Sequence, residues 1–97
     1  MTRFHVYRFG SGLVVDTQSN LLDALHTRVV IPLVPERDAK RAAERLNPCF
    51  EIDGTVYVMM TEFLAAVPIS ELGIRVTSLA HHSDKITAAT DFLFQGY

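Results

Sequence analysis

Cysteine is nearly missing from this chain: Cys49 is the single thiol among 97 residues. No internal disulfide can form, and such usage fits a reducing compartment. An excess of positive charge is missing too, since nine Lys and Arg face eleven Asp and Glu for a net charge of -2. With no basic stripe to displace phosphate counterions, the chain alone is not expected to bind nucleic acid. No apolar run approaches the roughly 18 residues that a membrane span requires. The first nine residues alternate polar and apolar and include Arg3, His5 and Arg8, which speaks against a signal peptide. The expectation is a cytoplasmic protein with no membrane partner. There is no glycine-rich phosphate loop, no zinc-ligand spacing, no nucleophile elbow, no internal repeat and no low-complexity linker.

Hydrophobic residues make up 48% of the chain and charged ones 21%, enough to bury one core, so a single domain spanning residues 1–97 is expected. Phe4, Val6 and Arg8 fall on one face of a strand, with His5, Tyr7 and Phe9 on the other. Gly10-Ser11-Gly12 reads as a tight connection to Leu13-Val14-Val15, making a first hairpin. Asp16 to Asn20 is turn-like, yet Leu21 and Leu22 follow inside the same loop. Thr27 to Val34 reads as a central strand that must be bulged or unpaired at Pro32, which has no amide proton. Pro35 to Leu46 predicts a short helix with a thin apolar stripe (Ala39, Ala42, Ala43, Leu46) that ends at Asn47-Pro48. Asp53-Gly54 is the strongest hairpin signal, between Cys49–Ile52 and Thr55–Met60. Phe63 to Ile69 fits either strand or irregular structure. Ser78 to Gln95 predicts a helix with Leu79, His82, Ile86, Ala89, Thr90 and Leu93 on one stripe and Gly96 as its C-cap. The order points to an antiparallel α+β domain.

Catalytic chemistry is hard to find. His81 and His82 are adjacent and would diverge by about 100° on a helix, too far apart to share a metal. Cys49 opens a strand with no basic neighbour in sequence and reads as a buried, inert thiol. Asp16, Glu51 and Asp53 read as turn and edge residues. Arg37, Lys40, Arg41 and Arg45 form the one basic cluster, interrupted by Asp38 and Glu44, and read as a solvated face. No catalytic residue, metal or cofactor is expected.

The tail Asp91-Phe92-Leu93-Phe94-Gln95-Gly96-Tyr97 holds three of the nine aromatic residues. A terminus that need not pack is usually polar. Either these rings fold back on the core or they form a surface for a partner.

Several separated strings, taken in order, resemble the CcdB family of gyrase-poisoning toxins. They are Phe4-His5-Val6-Tyr7, Val15-Asp16-Thr17-Gln18-Ser19-Asn20-Leu21-Leu22, Arg28-Val29-Val30-Ile31-Pro32-Leu33, Met59-Met60-Thr61 and Val67-Pro68. A final helix then ends in a large residue, one more residue, glycine and a bulky residue. The resemblance implies an SH3-like barrel fold with a main antiparallel sheet, a smaller sheet and a C-terminal helix. It implies a homodimer that inserts between the A subunits of DNA gyrase and traps the cleaved-DNA state. It further implies a CcdA-like antitoxin whose disordered tail folds onto the toxin, and operator DNA binding only together with that antitoxin. By position, the gyrase-binding residues are Leu21, Leu22, Asp91, Phe94, Gln95, Gly96 and Tyr97. Two departures stand out in this tail. Gln95 replaces the tryptophan that stacks on a gyrase arginine in the best-known member, and Asp91 replaces an amide. The first hairpin connection is also short, which bears on antitoxin specificity. Fold relatives that cleave RNA, and a degenerate toxin acting only through its antitoxin, are the alternatives.

Overall fold

The computed structural model describes residues 2–97. Among these residues, seven antiparallel strands form one curled sheet: β1 (His5–Phe9), β2 (Gly12–Asp16), β3 (Thr27–Pro35), β4 (Cys49–Ile52), β5 (Thr55–Met59), β6 (Ala65–Pro68) and β7 (Arg75–Ser78). One helix, α1 (Ser83–Gln95), closes the chain. The strand order is β4-β5-β3-β2-β1-β7, and β6 pairs with the first half of β3. The expected smaller sheet is therefore continuous with the main one. β3 is the hinge of this arrangement, because β6 and β5 share one of its edges end to end.

Both tight turns fall where their residues demand. Gly10 (φ 58°) opens the two-residue β1–β2 connection. Asp53 (φ 50°) and Gly54 (φ 82°) both sit in the left-handed region that joins β4 to β5. Pro32 needs no bulge, since the β2–β3 register runs straight through Val14 opposite Pro32. Its carbonyl accepts from the Met60 amide at 2.9 Å. The missing amide falls on the same edge, where β5 gives way to a 3-10 turn at Thr61–Phe63, so no ladder bond is lost.

Two expectations fail. The stretch 35–46 is not an α-helix: a single 3-10 turn spans Glu36–Asp38, Ala39 is extended (φ -95°, ψ 143°), and bends and turns follow. Its alanine-rich stripe offers little area to bury, whereas the wholly buried Asn47 competes for its amides. Asn47 Oδ1 accepts from Ala42 and Ala43, and Nδ2 donates to the Met59 carbonyl and to Glu62. The final helix also starts late. Ser78 ends β7, a 3-10 turn covers Ala80–His82, and α1 begins at Ser83.

The main core lies between the concave sheet face and α1. Val6, Leu13, Val15, Ile31, Leu33, Phe50, Ile52 and Met59 point inward and meet Leu79, Ile86 and Ala89. Phe4 precedes β1 with φ 70°, yet its ring joins the same cluster. On the opposite face a smaller cluster forms around Tyr7, Val14 and Val30.

Candidate functional site

Helical geometry gives α1 one buried ridge and two flanks. Ile86 and Ala89 press into the core. Residues one position before or after that ridge turn about 100° to either side. Lys85, Ala88 and Phe92 therefore edge one flank, and Thr87, Thr90 and Phe94 the other. A groove lies along each flank.

The Thr87–Thr90–Phe94 flank faces the segment after β2. Polar clamps hold that segment. The Ser19 hydroxyl accepts from the Leu21 amide at 3.2 Å and begins a 3-10 turn over Asn20–Leu22. Gln18, buried, donates to the Leu22 carbonyl at 3.0 Å and accepts from the Val29 amide at 3.1 Å. Asn20 Oδ1 accepts from the Arg3 amide at 2.8 Å. The backbone is fixed while the leucine side chains are turned outward: Leu21 is 94% exposed and Leu22 50%. Apolar groups displayed on a hydrogen-bonded turn have no role in the monomer core, and such patches mark partner sites.

At the far end, Gly96 adopts the left-handed conformation (φ 81°) and its amide donates to the Phe92 carbonyl at 2.9 Å. This is the C-cap expected of it. The three tail rings divide. Phe92 is half-buried, with the Arg45 guanidinium 4.9 Å above its ring. Phe94 is 70% exposed and Tyr97 74%. Asp91, Phe94 and Gln95 fall on one helical face by their spacing and are all exposed.

The fold unites the two stretches. Leu22, Leu25, Val29 and Leu64 line a groove of about 530 Å³ with Ile86, Thr87, Thr90 and Phe94. Leu22 and Phe94, 72 positions apart, thus face the same space, with Leu21 on the adjoining turn. Asp91, Gln95, Gly96 and Tyr97 extend this surface along the last helical turn without lining the groove itself.

The sequence reading missed what holds the leucine turn in place. Arg28 is wholly buried in β3 and reaches three acceptors. Its guanidinium contacts the Asp16 carboxylate at 2.7 and 2.8 Å, Asp23 at 2.9 Å and the Gln18 carbonyl at 3.4 Å. Asp16 also accepts from the Gln18 amide at 3.0 Å. Asp16 is thus no turn or edge residue but half of a buried ion pair. The clue was present in the sequence: an arginine inside an otherwise apolar strand, with an aspartate ending the strand before it.

Two other expectations need correction. His81 and His82 do not diverge on a helix. Their rings lie 4.1 Å apart between centroids, and His82 packs 5.1 Å from Phe50. Burial lowers the His82 pKa below 6.5, with further depression from His81 and Lys85. Cys49 is half-buried rather than enclosed, and it shares a groove with Arg41, Arg45 and Lys85. Among the described residues no group of three or more His, Cys, Asp or Glu is arranged to hold a metal ion. Nor is any helix among them long and apolar enough to cross a membrane.

The family model described as CcdB protein matches residues 3–96. Among solved structures, the chain is similar to a mycobacterial endoribonuclease in complex with its cognate antitoxin. The likeness has 18% identity and a TM-score of 0.79, over 97% of this chain and 94% of that one. At that identity it establishes a shared fold.

Proposed function

The chain belongs to the CcdB family, toxins of toxin–antitoxin modules, and we propose that it acts by gripping the A subunit of DNA gyrase. The working surface comprises Leu21 and Leu22 on the turn after β2, with Asp91, Phe94, Gln95, Gly96 and Tyr97 on the end of α1. The observation that carries this reading is the shared groove of Leu22 and Phe94. Exposed apolar anchors beside a concave, partly polar lining suit a protein partner.

The mechanism needs no covalent step by this chain. A homodimer presents two such surfaces to the paired gyrase subunits and stabilises the state in which DNA is cut. The break itself is gyrase's own chemistry. A CcdA-like antitoxin relieves the block by folding over the toxin, and the two together bind their operator. The chain's net charge of -2 leaves the basic DNA-binding surface to the antitoxin. The cytoplasm is the compartment where gyrase is met.

Gln95 modifies the grip. Without an aromatic face it forgoes a cation–π contact worth about 0.5–2 kcal/mol. The exposed rings of Phe94 and Tyr97 take over the aromatic contacts.

The test incubates purified protein with gyrase from the source organism, ATP and supercoiled plasmid. Accumulation of linear DNA supports the proposal, and its absence refutes it. The rival reading is RNA cleavage, suggested by the endoribonuclease neighbour and by the cationic groove on the other flank of α1. The lining of that groove contains Glu44 but no histidine, which is thin support for paired acid–base chemistry. Incubation with a labelled RNA decides it.

A further inference from the structure

One cation lies in the groove that Leu22 and Phe94 share: Arg3 is the single charged residue of its lining. A backbone kink brings it there. Phe4 takes φ 70°, a conformation that costs a bulky residue on the order of 1–3 kcal/mol. Contacts on both sides hold the kink. The Phe4 amide donates to the Asp16 carbonyl at 2.6 Å, and the Phe4 carbonyl accepts from the Leu79 amide at 2.8 Å. The residues before β1 are thereby run past the leucine-bearing turn, where the Arg3 amide donates to Asn20 Oδ1 at 2.8 Å.

The half-buried Arg3 side chain is fixed along its stem and open at its end. Nε donates to the Thr17 carbonyl at 3.1 Å, and Cζ lies 4.6 Å from the centre of the Phe4 ring. Among the described residues no carboxylate pairs with Arg3, and its two terminal nitrogens donate to no acceptor. Arg28 shows the contrast, since all three of its guanidinium nitrogens are matched. Bracing the loop accounts for Nε of Arg3. It leaves the outer fork, beside apolar groups, without a partner.

We infer that Arg3 receives a carboxylate of the gyrase A subunit, an Asp or Glu side chain that enters the groove beside Leu22 and Phe94. The inference rests on the gyrase reading and adds the chemistry of the partner at that site. The two terminal nitrogens form a planar fork that matches a carboxylate. Because Thr17 and the Phe4 ring already fix the side chain, little rotamer entropy is lost on docking. Closing the interface removes water and strengthens the pair. A neutral or cationic residue at that place would leave the fork unpaired in a closed interface, so Arg3 also discriminates between gyrases.

The experiment measures binding of the full chain to the immobilised A subunit of the source organism's gyrase by biolayer interferometry at several salt concentrations. Urea midpoints and sedimentation of each variant are taken alongside. Arg3→Gln should weaken binding by about tenfold, chiefly through faster dissociation, and flatten its salt dependence. Arg3→Lys loses the Thr17 bond as the glutamine does but keeps the charge, so it should weaken binding only about threefold. Arg37→Gln removes an exposed cation outside the groove and should change nothing. Equal losses for Arg3→Lys and Arg3→Gln would reduce Arg3 to a brace for the loop. Unchanged binding of Arg3→Gln would leave no carboxylate for it to meet, and an altered oligomeric state would assign it to a contact between protomers. Each of these overturns the inference and leaves the gyrase reading standing, whereas wild-type protein that binds at no salt concentration overturns both.

Discussion

Arg28 and Asp16 meet at 2.7 Å across the β2–β3 ladder, and neither side chain has any exposed surface. The same guanidinium holds Asp23 at 2.9 Å, just beyond the Asn20–Leu22 turn. The pair thus connects the most buried charge in the sheet to the most exposed leucines on the surface. Burying two charges is costly unless every lone pair and proton is matched. Here the matching is complete: no buried side-chain polar atom among the described residues lacks a hydrogen-bond partner.

Removing one partner of this pair should be severe. Arg28→Ala leaves the buried Asp16 side chain without its ion-pair partner, a loss of about 3–5 kcal/mol, read as a lowered urea midpoint. An Arg28→Met, Asp16→Leu double variant should lose less than the sum of its single changes. Simple additivity would argue against direct coupling.

Leu22 and Phe94 should separate function from stability. Phe94 is 70% exposed and Leu22 50%, so Leu22→Asp and Phe94→Ala should each shift stability by no more than about 0.5–1 kcal/mol. Growth arrest on induction without antitoxin should nevertheless be lost. Arrest that persists in both variants would remove this groove from the mechanism.

Gln95→Trp restores a stacking ring at an exposed position near the helix end. Poisoning of gyrases that carry the stacking arginine should strengthen, by roughly tenfold for about 1.4 kcal/mol of added contact. The readout is the protein concentration that gives half-maximal linear DNA.

Deleting Gly96 and Tyr97 should abolish arrest with little change in unfolding temperature. Tyr97 is exposed, and Gly96 caps the helix through one amide, worth about 1 kcal/mol or less. A large fall in stability would show that the tail belongs to the core.

Stability should decline in mild acid. Burial lowers the pKa of both His5 and His82 below 6.5, Arg75 adding to the first and His81 with Lys85 to the second, while Asp16 partly offsets the shift at His5. In the window from about 6.5 down to these lowered values the unfolded chain binds more protons than the folded one. Their contribution is therefore complete above pH 6.5 and is lost as pH falls through that window. Urea midpoints measured between about pH 7.5 and 5.5 should fall, and His82→Gln should flatten the slope.

Local chemistry alone fixed much of the fold. Asp53-Gly54 and Gly10 had to make tight turns, because few residues other than glycine, asparagine and aspartate accept positive φ. Gly96 had to end the last helix. The ordered strings from Phe4 to Pro68, with the tail, were enough to point to the family. The helix expected between Pro35 and Leu46 failed because its alanines bury too little area to outweigh the hydrogen bonds of Asn47. Which amides Asn47 would take depended on Met59 and Glu62, far away in sequence.

The candidate site divides in the same way. The outward leucines and the aromatic tail were legible as oddities, since apolar residues in a loop and at a helix end need a reason. Tertiary structure decided that Leu22 and Phe94 share one groove, that Phe92 folds back while Phe94 and Tyr97 do not, and that Arg28 and Asp16 are a buried pair. The physical reason is that periodicity reports which face of an element is apolar. Only the packing of that element against others decides what lies on its flanks.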